Sequence, residues 1–198
     1  QTSRPDLNVY FGRSDPDRDG ECRKGQAILT HFPIVNAGTI RLPQTRVVGR
    51  SAIWADIQLP GHDTPMRTYN VHLENRGDGT IRSVQTLTIL RHAQAWRRKN
   101  PGAPLAIIGD FNSLVNRMSS GKTENSIAHM LRRMRSALPQ GANTHVLEYQ
   151  TDWIFFDQMN LHRAQVVPIV RSDHFPIVAD FSVTALRPQE PPLHSSGN

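Results

Sequence analysis

The sequence predicts a mixed fold of the α/β (α+β) class, because three stretches carry the patterns of strands and of a helix. Apolar and polar side chains alternate over residues 51–59, as expected of a strand with one buried face. Residues 80–100 contain neither Gly nor Pro and are followed by Pro101 and Gly102, which predicts a helix and its end. Residues 105–108 are uniformly apolar, as in a strand that is buried on both faces.

The N-terminal part is expected to begin as a loop and to continue as strands. Residues 1–26 are polar and rich in turn-forming residues. Asp15, Asp17 and Asp19 resemble the start of a calcium-binding loop, but Gln26 stands where that motif requires Glu, so we do not favour calcium. Short apolar segments follow, and strands are expected over residues 27–32, 34–42, 51–59 and 66–74.

The strand over residues 66–74 would separate two kinds of side chain. Its odd-numbered residues from 69 to 73 are apolar and would share the buried face, since successive side chains of a strand alternate. The other face would then carry Asn70, His72 and Glu74 together.

The C-terminal half is expected to contain two helices and four strands. The helix over residues 80–100 would bury Ile81, Val84, Leu87 and Ala95 on one side. The second helix is expected over residues 125–138, and the strands over 105–108, 151–156, 164–170 and 176–184.

Composition excludes several classes of protein. Cys22 is the only cysteine, so an internal disulfide and a thiolate metal cluster are excluded. The longest aliphatic run is far shorter than the roughly 20 residues of a bilayer span, and the first residues do not resemble a signal peptide. A net charge of +6 fits a polyanionic partner, but it fits equally a surface that only maintains solubility. These features leave the compartment open.

The length suits one domain. The chain has 198 residues and 37% hydrophobic residues, which is typical of a single globular unit with its own core. We expect this domain over residues 1–186 and a flexible Pro-rich tail over residues 187–198.

Two motifs at strand ends carry candidate catalytic side chains. Gly109-Asp110-Phe111-Asn112 follows the buried strand, and Asp110 and Asn112 would face one ligand if the chain stays extended. The alternative is an Asp/Asn turn whose side chains satisfy local backbone groups. Ser172-Asp173-His174 precedes the last predicted strand and sets a hard metal ligand beside a group that titrates near neutral pH.

Two further residues are candidates by their position. His72 lies on the polar face of its predicted strand, where a lone His is more often a surface residue than a catalyst. Asp152 begins an otherwise apolar strand, where burial of its carboxylate would be costly without a partner. His174 is a candidate for that partner.

Taken in order, the four motifs at His72, Asp110, Asp152 and His174 resemble the endonuclease/exonuclease/phosphatase superfamily, which includes deoxyribonuclease I. The resemblance extends over about residues 9–183 and includes Arg82, Gln85 and the segment 25–34. It implies a four-layered sandwich of two mainly antiparallel sheets with helices outside. The active site would lie where strand ends of both sheets meet.

The resemblance also implies a role for each candidate. His174 would be the general base that activates water, and Asp152 would fix its tautomer and stabilise its cation. Asn112 and His72 would hydrogen-bond the phosphate and its developing charge.

A divalent metal, Mg²⁺ or Mn²⁺, is implied as the cofactor. Asp173 would bind it, and Asp110 would orient the attacking water or bind a second ion. Members of the family usually add an Asn and a metal-binding Glu on two earlier strands, and neither has a match here; Glu21 lies in the polar loop, out of order. We therefore expect an N-terminally incomplete domain that lacks a strand, a helix and a strand, about 40–60 residues, which leaves the activity of this chain open.

Two other functions have weaker support in the sequence. Gly121-Lys122-Thr123 resembles the end of a phosphate-binding P-loop, but Asn116 occupies the position of its first Gly. A non-catalytic module that only binds phosphate is the second reading. The presence of all six candidate site residues favours an incomplete enzyme over that module.

The substrate is expected to be a phosphodiester, with DNA first and a phosphoinositide or another phosphate ester as the alternative. Arg76 and Lys122 are the expected substrate contacts, because each follows one of the motifs. The arginines of the second predicted helix, Arg132, Arg133 and Arg135, could meet a nucleic-acid backbone or form a solvated face. We favour a monomer.

Overall fold

The computed structural model describes residues 7–13, 25–44, 49–115, 124–169 and 171–184. The candidate calcium loop, the segment 121–123 with Lys122, and the tail from residue 187 lie outside those residues. In chain order the elements are β1 (Asn8–Arg13), β2 (Gly25–Thr30), β3 (Ile34–Arg41), β4 (Ser51–Ile57), β5 (Met66–His72), α1 (Thr80–Lys99), β6 (Leu105–Val115), α2 (Asn125–Leu131), β7 (Arg135–Ser136), β8 (Gln150–Asp157), β9 (Asn160–Val166) and β10 (Ile177–Ser182).

A six-stranded sheet forms the centre of the protein, in the order β3-β4-β5-β6-β8-β7. All of its pairings are antiparallel except β5 with β6, which run parallel because α1 connects them. Two antiparallel hairpins, β1-β2 and β9-β10, complete the strands of the described residues. The predicted α+β class with mainly antiparallel sheets is confirmed.

The elements stack in layers on both faces of the central sheet. On one face α1 and α2 bury Leu90 and Ile127 against Tyr69, Val71 and Phe155. On the other face the hairpins pack, β1-β2 over the middle of β4 and β9-β10 over β6 and β8. The described residues thus build three layers of the expected sandwich: helices, central sheet and hairpins.

The first strand was missed by the sequence prediction. Residues 8–13 were expected to be loop, but they pair along their whole length with β2. Tyr10 and Gly12 face inward, and a Cβ at Gly12 would come within 2.1 Å of Ile53 Cγ2. The strand is short and carries a glycine at its closest contact, so its pattern is too weak to recognise in isolation.

Helix α1 lies where it was predicted, but it buries a different face. Val84, expected inside, is 41% exposed. The buried residues are instead Arg82, Gln85, Thr86, Ile89, Leu90, Ala93 and Trp96. Their spacing is that of a helix face. Arg82 and Gln85 are buried because they hydrogen-bond to neighbouring segments, whereas the third polar member, Thr86, has a buried hydroxyl without a partner among the described residues.

Several predicted boundaries also change. The second helix ends at Leu131 rather than at residue 138, and β7 follows it. β6 was expected to stop at residue 108 but continues to Val115, while β5 stops at His72 and β9 runs over Asn160–Val166. β4 was expected to bury one face only, yet Asp56 on its other face is 5% exposed, because helix α1 covers that side.

No helix among the described residues combines the length and the hydropathy that crossing a membrane requires.

Candidate active site

Three neighbouring strands bring predicted site residues side by side at one end of the central sheet. His72 is the register partner of Asp110 on β5 and β6, and Asp110 is the partner of Asp152 on β6 and β8. The Nε2 atom of His72 lies 3.6 Å from Oδ2 of Asp110. The side chains of His72, Asp110 and Asp152 lie on the face of the central sheet on which the hairpins pack. This row of three side chains therefore lies between the central sheet and the hairpins.

Gly109 makes the close approach of β5 and β6 possible. Its φ angle is +132°, which side-chain-bearing residues rarely adopt. A Cβ at this position would lie 2.1 Å from the carbonyl oxygen of Val71. The glycine that precedes Asp110 is therefore required for the geometry of the row.

His174 reaches this row from the loop before β10. Its Nδ1 atom lies 2.7 Å from Oδ2 of Asp152, and the hydroxyl of Thr151 donates to the same oxygen at 2.8 Å. Because the carboxylate accepts a hydrogen bond from Nδ1, the neutral imidazole leaves Nε2 without a proton. The predicted pairing of Asp152 with His174 is present, and Nε2 is the nitrogen that can accept a proton.

The charges around His174 make it a stronger base. Burial by itself would lower the pKa of His174. The hydrogen bond and the charge of Asp152, with the charges of Asp110 and Asp173, outweigh burial and raise this pKa above its usual value.

The pKa values of Asp110 and His72 are also shifted, because both side chains are buried among other charged groups. Burial, with the charge of Asp152, raises the pKa of Asp110 to about 6, although a backbone hydrogen bond from Asn112 opposes the shift. Burial, with the charges of Arg50 and His174, lowers the pKa of His72 well below its usual value. At neutral pH the row thus combines a neutral imidazole with carboxylates that repel one another.

Asn112 does not lie as the sequence predicted. The chain leaves the extended conformation there, with φ of +49°. The backbone N–H of Asn112 donates to Oδ1 of Asp110 at 2.7 Å, and its side-chain amide donates to the carbonyl of Leu73 at 2.9 Å. Asn112 therefore fixes the Asp110 carboxylate and ties β6 to the chain beyond β5, as in the turn alternative.

Asp173 lies beside His174 but in a different environment from Asp110. Its side chain is 69% exposed, and Ser172 donates a hydrogen bond to its Oδ1 at 3.0 Å, which lowers the pKa of Asp173. Two groups of three residues have ligand atoms close enough to hold a metal ion. Asp173 belongs to one with His145 and His174, and Asp110 belongs to the other with Asp152 and His174. The structure brings five of the predicted residues to one place: His72, Asp110, Asp152, Asp173 and His174.

Solved structures with the same architecture support the predicted resemblance. The catalytic domain of human Nocturnin with a bound sulfate anion superposes with a TM-score of 0.73 and 21% identity, over 90% of this chain and 73% of that one. A mannosyl-6-phosphatase from Bacteroides thetaiotaomicron gives 0.69 and 18%, over 90% and 78%. An endonuclease/exonuclease/phosphatase family protein from the same organism gives 0.69 and 16%, over 88% and 75%.

The chain has the endonuclease/exonuclease/phosphatase fold. No protein-family model matches the sequence, and no curated protein matches it. At identities of 16–21% the likeness to these structures establishes the fold, and the predicted resemblance is confirmed at that level.

The start of α1 holds the chain that leaves β5. Arg82 pairs with Glu124 at 2.7 Å and donates to the carbonyl of Glu74 at 3.0 Å. The side chain of Gln85 accepts the N–H of Glu74 and donates to the carbonyl of Pro43. Glu74 is buried and lies beyond the end of β5, but its charge still acts on His72 and opposes the lowering of the pKa of His72 by burial.

Arg76 lies in the loop that follows. It lines a cavity of about 420 Å³ with Glu74, Asp78 and residues of the first turns of α1. The lining begins two residues after the end of β5, and the role of Arg76 as a substrate contact stays a prediction.

The basic cluster of the second predicted helix is dispersed. Arg132 and Arg133 lie beyond the end of α2, while Arg135 belongs to β7. The guanidinium of Arg135 lies 4.6 Å from the ring of Phe156 and donates to the carbonyl of Met159. Arg135 is thus engaged in packing, which weakens the case for a nucleic-acid surface on this helix.

Two residues near the site were missed in the sequence. His145 lies next to Asp173 and His174, because residues 145 and 174 form an isolated antiparallel bridge that no local pattern announces. Arg50 precedes β4 and influences both His72 and Asp110 electrostatically, and its Nε atom is buried without a hydrogen-bond partner. The antiparallel pairing of β4 with β5 could have indicated Arg50, since Ala52 is the partner of Val71.

The donors of the site fit a hard divalent cation. Oxygen and nitrogen ligand atoms of Asp110, Asp152 and His174 lie within 4.8 Å of one another. One oxygen of each carboxylate accepts hydrogen bonds, Oδ2 of Asp152 from His174 and Thr151, Oδ1 of Asp110 from Asn112 and Oδ1 of Asp173 from Ser172, so each carboxylate has its second oxygen left for a cation. Mg²⁺ is usually bound by one or two carboxylates together with waters and substrate phosphates, which this donor set can supply.

Proposed function

We propose that this chain carries the catalytic core of a metal-dependent phosphodiester hydrolase, in which His174 activates water. The observation that carries the proposal is the 2.7 Å contact between Nδ1 of His174 and Oδ2 of Asp152, which leaves Nε2 free beside the row of polar side chains. A base held in one tautomer next to buried carboxylates is arranged for proton transfer rather than for stability.

His174 takes the proton of the attacking water at Nε2. Asp152 keeps the other proton on Nδ1 and stabilises the imidazolium that forms. Thr151 donates to the same oxygen of Asp152 and so keeps this carboxylate oriented. Since the neighbouring carboxylates raise the pKa of His174, the ring accepts the proton readily near neutral pH.

His72 and Asp110 act on the opposite side of the row. His72 is neutral at working pH and can hydrogen-bond a phosphate oxygen as its charge grows. Asp110, fixed by the N–H of Asn112, orients the water or holds a second cation. Asn112 contributes through this fixation, and its own contact with phosphate is a weaker part of the proposal because its amide bonds Leu73.

Asp173 would hold the divalent cation, Mg²⁺ or Mn²⁺. A cation bound there supplies charge neutralisation of the phosphate and of its transition state. The exposure of Asp173 suits a ligand that shares an ion with a substrate arriving from solvent.

DNA is the leading substrate, and a phosphate monoester or phosphoinositide is the alternative. The net charge of +6 is compatible with a polyanion, whereas the cavity beside Arg76 does not favour one, because Glu74 and Asp78 also line it. The likeness to a mannosyl-6-phosphatase and to a domain that binds sulfate supports the wider class of phosphate esters. Lys122, the other expected substrate contact, stays a prediction.

The test compares an aryl phosphodiester with the matching aryl phosphomonoester, each with Mg²⁺, Mn²⁺ or EDTA. We expect metal-dependent hydrolysis of the diester that EDTA abolishes. His174→Ala should reduce the rate by about 10²-fold to 10⁴-fold, the usual contribution of a general base. His162→Ala, an exposed residue of β9, is the matched control and should keep the wild-type rate.

The outcomes separate the candidates. Preference for the monoester would replace the diesterase proposal by a phosphatase. No hydrolysis by a folded sample that still binds phosphate would favour the non-catalytic module, and a loss below tenfold in His174→Ala would remove His174 as the base.

A further inference from the structure

The segment Thr144-His145-Val146 joins the two halves of the Asp152–His174 pair. The hydroxyl oxygen of Thr144 accepts the backbone N–H groups of Thr151 at 3.0 Å and Asp152 at 3.1 Å. These bonds hold the beginning of β8, where Asp152 lies. Thr144 is fully buried, so the two bonds are shielded from water.

The same segment also holds the loop that carries Asp173 and His174. The N–H of Phe175 donates to the carbonyl of Thr144 at 2.8 Å, and the N–H of Val146 donates to the carbonyl of Asp173 at 2.9 Å. One short stretch of chain therefore fixes the backbone on both sides of the proposed general base.

His145 is the side chain of this stretch that faces the site. Its ring stands edge-on to the ring of His174, with centroids 4.8 Å apart and planes at 87°. Its Nε2 atom lies 3.7 Å from Oδ2 of Asp173, and its side chain is only 15% exposed. His145 thus contacts both the base and the expected metal-binding carboxylate.

A backbone hydrogen bond decides which tautomer His145 adopts. The N–H of Leu147 donates to Nδ1 of His145 at 3.1 Å, so Nδ1 must present a lone pair. In the neutral ring the proton is then on Nε2, which faces Asp173. Although His145, Asp173 and His174 are close enough to hold an ion, this tautomer turns an N–H and not a lone pair toward the Asp173 carboxylate, 3.7 Å away, so His145 is not arranged as a ligand.

We propose that His145 is a positioning residue, which orients the Asp173 carboxylate through its Nε2–H and supports the ring of His174. This role rests on the proposed function. It resembles the outer hydrogen bonds that fix ligating groups in metal sites, whose removal typically costs about 10-fold to 100-fold in metal affinity or activity.

Two substitutions of His145 separate this role from a structural one. The amide nitrogen of Gln can replace the Nε2–H donor, whereas the oxygen of the shorter Asn can replace the Nδ1 acceptor for Leu147. A structural role in the 144–149 turn would be rescued by His145→Asn. The positioning role would be rescued by His145→Gln.

The first measurement is the Mn²⁺ or Mg²⁺ concentration that gives half-maximal hydrolysis, with direct Mn²⁺ binding by calorimetry. We expect His145→Asn to raise the half-maximal metal concentration and the dissociation constant for Mn²⁺ by about 10-fold or more. In His145→Gln both values should stay within about threefold of wild type. Equal values for wild type and His145→Asn, or rescue by Asn and not by Gln, would overturn the positioning role.

The second measurement is independent of hydrolysis. Long-range ¹H–¹⁵N spectra of the imidazoles at neutral pH should show His145 with its proton on Nε2 and His174 with its proton on Nδ1. A proton on Nδ1 of His145 would overturn the inference even if the enzyme is active. An inactive wild type with the expected His145 tautomer and Mn²⁺ affinities would instead contradict the proposed hydrolysis and leave the positioning of Asp173 supported.

Discussion

The two ends of the central sheet both carry buried charge, but the charges are paired with opposite charges at only one of them. At the end away from the site, Arg67 and Asp56 are register partners joined by two hydrogen bonds of 2.6 Å. The guanidinium lies 3.9 Å from the ring of Trp54 and 4.8 Å from that of Trp96. The two charges of this pair thus compensate each other, and two aromatic rings lie against the guanidinium.

At the other end the charges are crowded and only partly compensated. Asp110 and Asp152 are register partners of like charge, and burial with this neighbour raises the pKa of Asp110 to about 6. The comparison teaches that burial of charge does not by itself mark a functional site. A shifted pKa without a compensating partner is the feature that distinguishes the site end from the structural end.

The largest effect should follow from a change in the pair at the site end. In Asp152→Asn the side-chain amide donates to Nδ1 of His174, which favours the tautomer with the proton on Nε2. Nε2 can then no longer accept the proton of the attacking water. We expect kcat to fall about 10³-fold to 10⁴-fold, measured by steady-state hydrolysis. Asp157→Asn, at the opposite end of β8, is the control and should keep its rate; equal losses in both variants would contradict the assignment.

The structural end should respond in stability instead. Arg67→Met leaves Asp56 buried and unpaired, so the free energy of unfolding in urea should fall by about 3–5 kcal/mol. The double variant Asp56→Leu/Arg67→Met removes both charges and should recover most of that loss. Hydrolysis per folded molecule should not change, and a cost below about 1 kcal/mol for the single variant would show that the pair is not isolated from solvent.

Removal of the Asp110 charge should raise the free energy of unfolding of the metal-free protein, whereas removal of the Arg67 charge lowers it. The pKa of Asp110 is about 6 in the folded state and near 3.8 when unfolded, so the folded state binds the proton more tightly. The free energy of unfolding in EDTA should therefore fall as pH rises from about 4 to 6. Above pH 6, Asp110→Asn should be more stable than wild type by about 1–3 kcal/mol, while it loses activity; a less stable variant would contradict the crowding of negative charge.

The smallest effect concerns Tyr69, beside the Arg67 pair. Burial raises its pKa to about 12, and its hydroxyl lies 2.8 Å from Nδ1 of His92. Tyr69→Phe should lose about 1 kcal/mol at pH 7 for one hydrogen bond. Wild type binds its phenol proton more tightly when folded, so its advantage over Phe should vanish as pH rises from 10 through 12 in stability curves.

The sequence was sufficient for the residues whose chemistry is local. Asp152 at the head of an apolar strand and His174 after Asp173 could be named because charged residues in such places need partners. Their distance of 2.7 Å could not be predicted, since it depends on β8 and the loop before β10 meeting across 22 positions.

The incorrect predictions have one physical cause: each depends on contacts with segments that are distant in the sequence. Val84 was placed inside and Arg82 was not considered for burial, because hydropathy does not register that Glu124 and the carbonyl of Glu74 compensate the guanidinium. The sequence left an extended chain and an Asp/Asn turn open at Asn112, and only the contacts with the Leu73 carbonyl and with Asp110 decide for the turn. His145 has no local signal at all.

The chain order of the site has a consequence for synthesis. All six strands of the central sheet precede residue 158, whereas His174 follows β9. During translation the central sheet can therefore form while His174, the proposed general base, is still within the ribosome. The hairpin β9-β10, which covers Ile154 and Phe156, would be synthesised together with His174, so this part of the core and the proposed site would be completed at the same stage.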